Sequence, residues 1–171
     1  MNPYCKYDSE PINAAKSKSN ILRKTRRSLR KPKPKKLVII GTNSDGLNQK
    51  SDSLHKTIEE LMPSVFMIQE TKFSRKGKFR ANHYEIFEQI RTQKGGGGLL
   101  TGVHEDLSPV LVSDGSSDDI EILVVEADVS EHRVRFINGY GPQENANVDD
   151  RIKFFARLEE EIVLSKLNGP V

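Results

Sequence analysis

Between Lys36 and Lys72 two short apolar runs bracket one amphipathic helix, and each run ends in polar residues. No other part of the sequence restricts the fold as much. Lys36-Leu37-Val38-Ile39-Ile40 is continuously apolar and β-branched, the pattern of a strand buried on both faces. Gly41-Thr42-Asn43-Ser44-Asp45-Gly46 follows as a loop. Ser51-Asp52-Ser53 suits a helix start, and Leu54, Ile58 and Leu61 recur at helical spacing until Pro63 stops the helix. Val65-Phe66-Met67-Ile68 is a second buried strand, closed by Gln69-Glu70-Thr71-Lys72. A strand, a helix and a strand in this order make parallel neighbours through a right-handed crossover, because the helix must pack back onto the sheet. The two C-terminal ends then share a rim, bringing Asn43 and Asp45, just past the first strand, near Glu70. Such rims are where α/β sheets place ligands.

Beyond this unit the strands come at closer intervals: Tyr84 to Ile90, Gly97 to Val103, Pro109 to Val112, Ile120 to Val129 and Arg133 to Gly139. Turns are expected at Gln93 to Gly96, Asp114 to Asp119 and Ser130 to His132, so the succession reads as an antiparallel meander. A final helix has Asp149 and Asp150 in its first turn and an apolar stripe of Ile152, Phe155, Leu158 and Ile162. Gly169 suits its C′ position and Pro170 cannot continue it. With one residue left, the stripe lacks a partner layer, and the expectation is a fragment or the product of a truncated gene. No internal repeat is present.

Charge divides the chain differently. Of its twenty-seven Lys and Arg residues, twelve fall within 1–36 against only Asp8 and Glu10, leaving fifteen basic and twenty-two acidic residues beyond. The basic segment holds too little apolar surface to offset the entropy of ordering, so residues 1–35 read as a disordered tail and 36–171 as the folded part. Such a tail suits phosphate polyanions, with affinity falling as salt rises, or nuclear import, or nothing beyond solvation. Cys5 is the only cysteine, which excludes an internal disulfide and a Cys-rich zinc site, and points to an intracellular setting. No apolar run approaches the roughly 20 residues of a membrane span. The expectation is a soluble, intracellular protein, with nuclear import as one use of the tail, no membrane partner and no evident protein partner.

Three segments carry a resemblance. Thr42-Asn43-Ser44-Asp45-Gly46-Leu47, Met67-Ile68-Gln69-Glu70-Thr71-Lys72 and Asn138-Gly139-Tyr140-Gly141-Pro142 resemble, in order and spacing, the first three signatures of the endonuclease/exonuclease/phosphatase superfamily. The likeness spans residues 36 to 171. The Gln-Glu-Thr-Lys wording and the stretch from Gly95 to Thr101 are most similar to retrotransposon endonucleases, with abasic-site endonucleases alongside.

The resemblance implies a deoxyribonuclease I-like fold, a four-layer α/β sandwich of two sheets flanked by helices, represented here by roughly its first half. It implies metal-dependent phosphodiester cleavage of nucleic acid, DNA before RNA, with Mg²⁺ or Mn²⁺. Glu70 would be the carboxylate ligand of the cation, in keeping with the one or two carboxylates that Mg²⁺ ordinarily takes. Asn43 would take part in the metal site, orienting a metal ligand or the attacking water, Asp45 would be a second acidic group, and Tyr140 would stabilise the phosphate oxygens. Lys72, Arg75, Lys76 and Lys78 follow Glu70 on a loop, where they either touch nucleic-acid backbone or remain solvated.

The sequence also departs from the family. The later Asp-x-Asn, Asp and Asp-His signatures cannot be placed, so the general base and half the metal site are missing and residues 1–171 are expected to show no turnover. Gln143 stands where the family commonly has Asn, and its longer side chain is expected to disturb a phosphate contact. Gly95-Gly96-Gly97-Gly98 lacks the Lys-Ser/Thr ending of a P-loop and reads as a turn into a strand. His55, His83, His104 and His132 lack metal-ligand spacing. Phosphatases of the same superfamily stay open, as does a noncatalytic protein that holds nucleic acid through its basic tail.

Overall fold

The computed structural model describes residues 36–91, 97–115 and 120–167. The basic tail, the Gln93–Gly96 turn, most of the Asp114–Asp119 turn and the expected stop at Gly169-Pro170 lie outside them. Among the described residues seven strands and two α-helices follow one another: β1 (Ile39–Asn43), α1 (Ser51–Leu61), β2 (Val65–Gln69), β3 (Tyr84–Gln89), β4 (Leu99–His104), β5 (Val110–Ser113), β6 (Glu121–Val129), β7 (His132–Tyr140) and α2 (Val148–Leu167). They form a four-stranded sheet ordered β1-β2-β4-β3 and a three-stranded sheet ordered β5-β6-β7.

The expected crossover is present, with β1 and β2 parallel and Asn43 level with Gln69. The expected single meander is not. β4 runs antiparallel between β2 and β3, so the first hairpin returns to the β1-β2 sheet. Only β5-β6-β7 forms a meander, and it makes the second sheet.

Period-2 alternation distributes the apolar side chains among three interfaces. Val65, Leu99, Val103, Leu123, Val125, Ala127 and Phe136 fill the space between the sheets. The alternate residues Phe66, Ile68 and Leu100 face outward onto Leu54 and Ile58 of α1. On the opposite outer face Ile122 and Val124 meet Phe154 and Leu158 of α2. The result is four layers, helix on sheet on sheet on helix, as the sandwich expectation requires.

Two expectations need correction. The first strand begins three residues later than its apolar run suggests, and it is not buried on both faces. β1 is an edge strand, with Leu37 and Ile39 exposed. α2 docks by a different face as well: Ile152, Phe155 and Ile162 of the expected stripe are exposed, 61%, 62% and 41% respectively, while Phe154 and Glu161 are buried. The reason is electrostatic. Glu161 receives Arg135 of β7 at 3.2 Å and Arg157 at 2.5 Å, and Arg135 also binds Glu126 at 2.7 Å. Rotating α2 onto its apolar stripe would leave Arg135 buried with one partner fewer, a penalty of several kcal/mol. Among the described residues neither helix is long and apolar enough to cross a membrane.

Candidate active site

Glu70 directly follows β2, and its backbone is left-handed at φ 52, as is that of Lys72 at φ 53. Non-glycine residues hold this conformation at a cost of roughly 1–2 kcal/mol each, and only where surrounding bonds impose it. Here they do. The Glu70 and Thr71 carbonyls accept from Gly46 and Leu47 N–H at 2.8 and 3.0 Å, and the Thr71 and Lys72 N–H groups donate to Gly98 and Gly97 carbonyls at 3.0 and 2.8 Å. The strand end is thereby locked between the β1 loop and the start of β4.

So fixed, Glu70 receives two hydrogen bonds on one oxygen. Asn43 Nδ2 donates to Oε1 at 2.8 Å and the Tyr140 hydroxyl donates to the same oxygen at 2.5 Å. The other oxygen accepts no hydrogen bond among the described residues and stands 4.0 Å from Lys72 Nζ. Lys72 is itself hydrogen-bonded to Asp45. Asn43, Asp45, Glu70, Lys72 and Tyr140 therefore form one connected polar group drawn from both sheets.

The ionisation of these groups follows from the contacts. The Tyr140 hydroxyl, and then Asn43, hold the Glu70 carboxyl below its ordinary value by hydrogen-bonding its charged form. The same bond raises the Tyr140 phenol, since the carboxylate favours the protonated partner, while Gln143 acts weakly in the opposite direction. Lys72 lowers Asp45 and is raised by it. At neutral pH Glu70 and Asp45 are anionic, Lys72 cationic and Tyr140 a neutral donor.

Asn43, bonded to Glu70 through its amide nitrogen, has its side-chain oxygen turned to the backbone. Its oxygen accepts the Asp45 N–H at 3.0 Å and retains one lone pair. Arg75, Lys76 and Lys78 are exposed and do not line the cavity beside Glu70. Lys76 pairs with Asp114 at 3.3 Å and Lys78 lies 5.8 Å over the Phe73 ring. Lys72 alone of the basic loop reaches the site. No histidine lines that cavity, and among the described residues no three His, Cys, Asp or Glu side chains gather as a metal cluster.

Sequence reasoning placed Gln69 and Asn138 within the resembling segments but gave neither a role. Asn138 is 1% exposed, lies two residues before Tyr140 on the same face of β7, and crosses to the first sheet. Its Nδ2 donates to the Leu100 carbonyl at 3.0 Å, Thr101 Oγ1 at 3.2 Å and the Ile68 carbonyl at 3.3 Å, and its Oδ1 accepts from Gln69 Nε2 at 2.6 Å. A polar residue in step with an inward-facing apolar one, here Phe136, is the signal that marks it.

A cavity of about 930 Å³ opens beside this group, lined by Glu70, Lys72 and Tyr140 on one side and by Lys153, Phe154 and Arg157 of α2 on another. The donor set suits a hard divalent cation. One Glu70 oxygen is oriented by neutral donors, the other accepts no hydrogen bond among the described residues, and waters and a phosphate would complete the shell in the manner of Mg²⁺.

No protein-family model and no curated protein matches the sequence. Solved structures do. The abasic-site endonuclease of Leishmania major is 19% identical with a TM-score of 0.58 over 73% of this chain and 47% of its own. The 3′ phosphatase NExo from Neisseria, bound to a product DNA hairpin, is 18% identical with a TM-score of 0.59 over 78% of this chain and 54% of its own. The endonuclease domain of TRAS1, a telomere-specific non-LTR retrotransposon, is 14% identical with a TM-score of 0.56 over 73% and 54%. The chain spans about half the length of these structures, and its fold is deoxyribonuclease I-like.

Proposed function

We propose that this chain is a nuclease-type phosphodiester hydrolase domain, represented by its N-terminal half and related in origin to retroelement endonucleases. The observation that carries the reading is the convergence of Asn43 and Tyr140 from different sheets onto one oxygen of Glu70, a residue that lines a cavity. That arrangement orients a carboxylate toward a cation rather than toward the protein. Mg²⁺, or Mn²⁺ in its place, held by Glu70 would polarise a phosphoryl oxygen and offset its developing charge. Asn43 fixes the carboxylate in one rotamer. Tyr140 keeps its proton and serves as a neutral donor at the mouth of the site, while Asp45 holds the Lys72 ammonium beside Glu70.

Nucleic acid is the substrate class that fits best, DNA before RNA. NExo was solved with DNA product, and Lys72, Lys153 and Arg157 line the same cavity. Arg75, Lys76 and Lys78 extend the basic loop away from it, toward flanking backbone. The 1–35 segment adds salt-sensitive attraction for phosphate and suits an intracellular, nuclear setting. Residues 1–171 are proposed to give no turnover unaided, since no histidine lines the cavity among the described residues and one missing member of a concerted unit already costs several orders of magnitude.

Metal-linked DNA binding tests the reading. The full chain should bind an oligonucleotide more tightly with Mg²⁺ than with a chelator, and Glu70→Gln should abolish the increment without abolishing the metal-free binding. An increment that survives Glu70→Gln, or none in the parent, contradicts it. Nicking of plasmid DNA by residues 1–171 that Glu70→Ala abolishes would overturn the inactivity.

A further inference from the structure

Two more walls of the cavity are Arg91, just after β3, and Glu121, the first residue of β6. Glu121 is 6% exposed and both its oxygens are engaged. Oε2 accepts the Gly98 N–H at 2.7 Å, and Oε1 stands 2.9 Å from Arg91 Nη1. The close approach explains the end of the glycine run. Gly97 and Gly98 have φ of 72 and 88, and a Cβ on Gly97 would lie 2.3 Å from Glu121 Oε1, one on Gly98 2.8 Å from Thr71 Oγ1. No other residue type fits either position without displacing the carboxylate or the Glu70 strand end.

The glycine pair thus seats a buried carboxylate, and the carboxylate seats an arginine. Arg91 is 27% exposed in its side chain and uses Nη1 on Glu121, while its Nε is buried without a hydrogen-bond partner. A guanidinium carries five N–H donors in a planar fork. The remaining Nη donors have no protein partner among the described residues. Of the other cavity cations, Lys72 is held by Asp45 and Arg157 by Glu160 and Glu161, while Lys153 is an exposed ammonium on α2. An anion entering between Glu70 and Glu121 needs a cation fixed in that place, and a guanidinium, weakly hydrated and planar, matches phosphate better than an ammonium does.

We propose that Arg91 is an anion-binding residue of this cavity, taking a phosphate oxygen beside Glu70, with Glu121 and the Gly98 N–H as its positioning groups. The inference deepens the nuclease-type reading and rests on it for the identity of the phosphate. Within that reading Glu70 addresses the phosphate through the cation, whereas Arg91 addresses it directly, so Arg91 binding persists without metal.

The test is a titration of the full chain, with chelator present, by inorganic phosphate and separately by a single-stranded DNA tetramer, followed by the arginine Nε–H resonances. The Arg91 resonance, assigned by its loss in Arg91→Lys, should move with both probes. Affinity should fall about tenfold in Arg91→Gln, the worth of one charge-assisted hydrogen bond, with partial recovery in Arg91→Lys. An unmoved Arg91 resonance, or unchanged affinity in a folded Arg91→Gln, overturns the proposal. Should phosphate move Arg91 while the tetramer does not, the anion site stands and the nucleic-acid reading falls. Should the tetramer bind without moving Arg91, the nucleic-acid reading stands and this inference falls.

Discussion

Gln69 and Asn138 meet across the two sheets, the Gln69 amide donating to Asn138 Oδ1 at 2.6 Å, and each lies one or two residues from a member of the Glu70–Tyr140 pair. Asn138 completes its contacts on the first sheet with its two N–H groups shared among three acceptors, so this buried amide has its hydrogen bonds filled. Replacing Asn138 by Leu keeps its size but strands the Gln69 amide and the Leu100 carbonyl, at about 1–3 kcal/mol for each group left unpaired. Chemical denaturation should show a loss of that order, and the Tyr140 phenol should titrate closer to its ordinary value of 10.0 as its contact with Glu70 loosens.

Tyr140→Phe isolates the hydroxyl. Because the Tyr140 hydrogen bond is the largest cause of the lowered Glu70 carboxyl, that carboxyl should titrate nearer 4.5 in the variant by carbon-detected NMR. The linkage has a definite sign. A carboxyl depressed in the folded state stabilises fully above its unfolded pKa and loses that contribution as pH falls through the folded one. The stability gap between parent and Tyr140→Phe should therefore be full at pH 7 and shrink as pH drops below about 4.5.

Glu70→Gln makes the reciprocal change. The substitution replaces the carboxylate hydrogen bond, the largest cause of the raised Tyr140 phenol, by a neutral one and removes the Coulombic attraction, so the ionisation, read by ultraviolet difference absorbance, should shift downward toward 10.0. An unchanged phenol titration would separate the two side chains in solution.

The α2 anchor gives a double-mutant test. Glu161→Ala leaves Arg135, 8% exposed, with Glu126 as its one remaining carboxylate beside the residue-161 backbone carbonyl, and should cost about 3–5 kcal/mol. Replacing both Arg135 by Met and Glu161 by Leu removes the buried charges together and should recover most of that loss. Equal losses in the single and double variants would place the anchoring of α2 in its apolar contacts.

Much of the site was legible because topology forces it. A right-handed crossover leaves two strand ends on one rim, and so Asn43 and Glu70 could be paired before any coordinates. Tyr140 came through resemblance only, since the apposition of two sheets leaves no local periodicity to read. Edge position was hidden for a related reason: Leu37 to Ile40 announces a strand, but apolar content alone does not say how many neighbours that strand has. The α2 stripe failed differently. Ile152, Phe155 and Ile162 do form a helical stripe, yet Phe154, Leu158 and Glu161 form another, and the buried Arg135 selects the second. Arg91 and Glu121 were silent because their partnership is between distant segments and depends on two glycines having no Cβ.

Manganese relaxation on the full chain tests the cation pocket most directly. Mn²⁺ added at substoichiometric amounts should broaden the amide resonances of residues about Asn43, Glu70 and Tyr140 first, steeply with distance, and Glu70→Gln should remove that focus. Broadening centred elsewhere, or broadening at the pocket that persists unchanged in Glu70→Gln, would contradict the account.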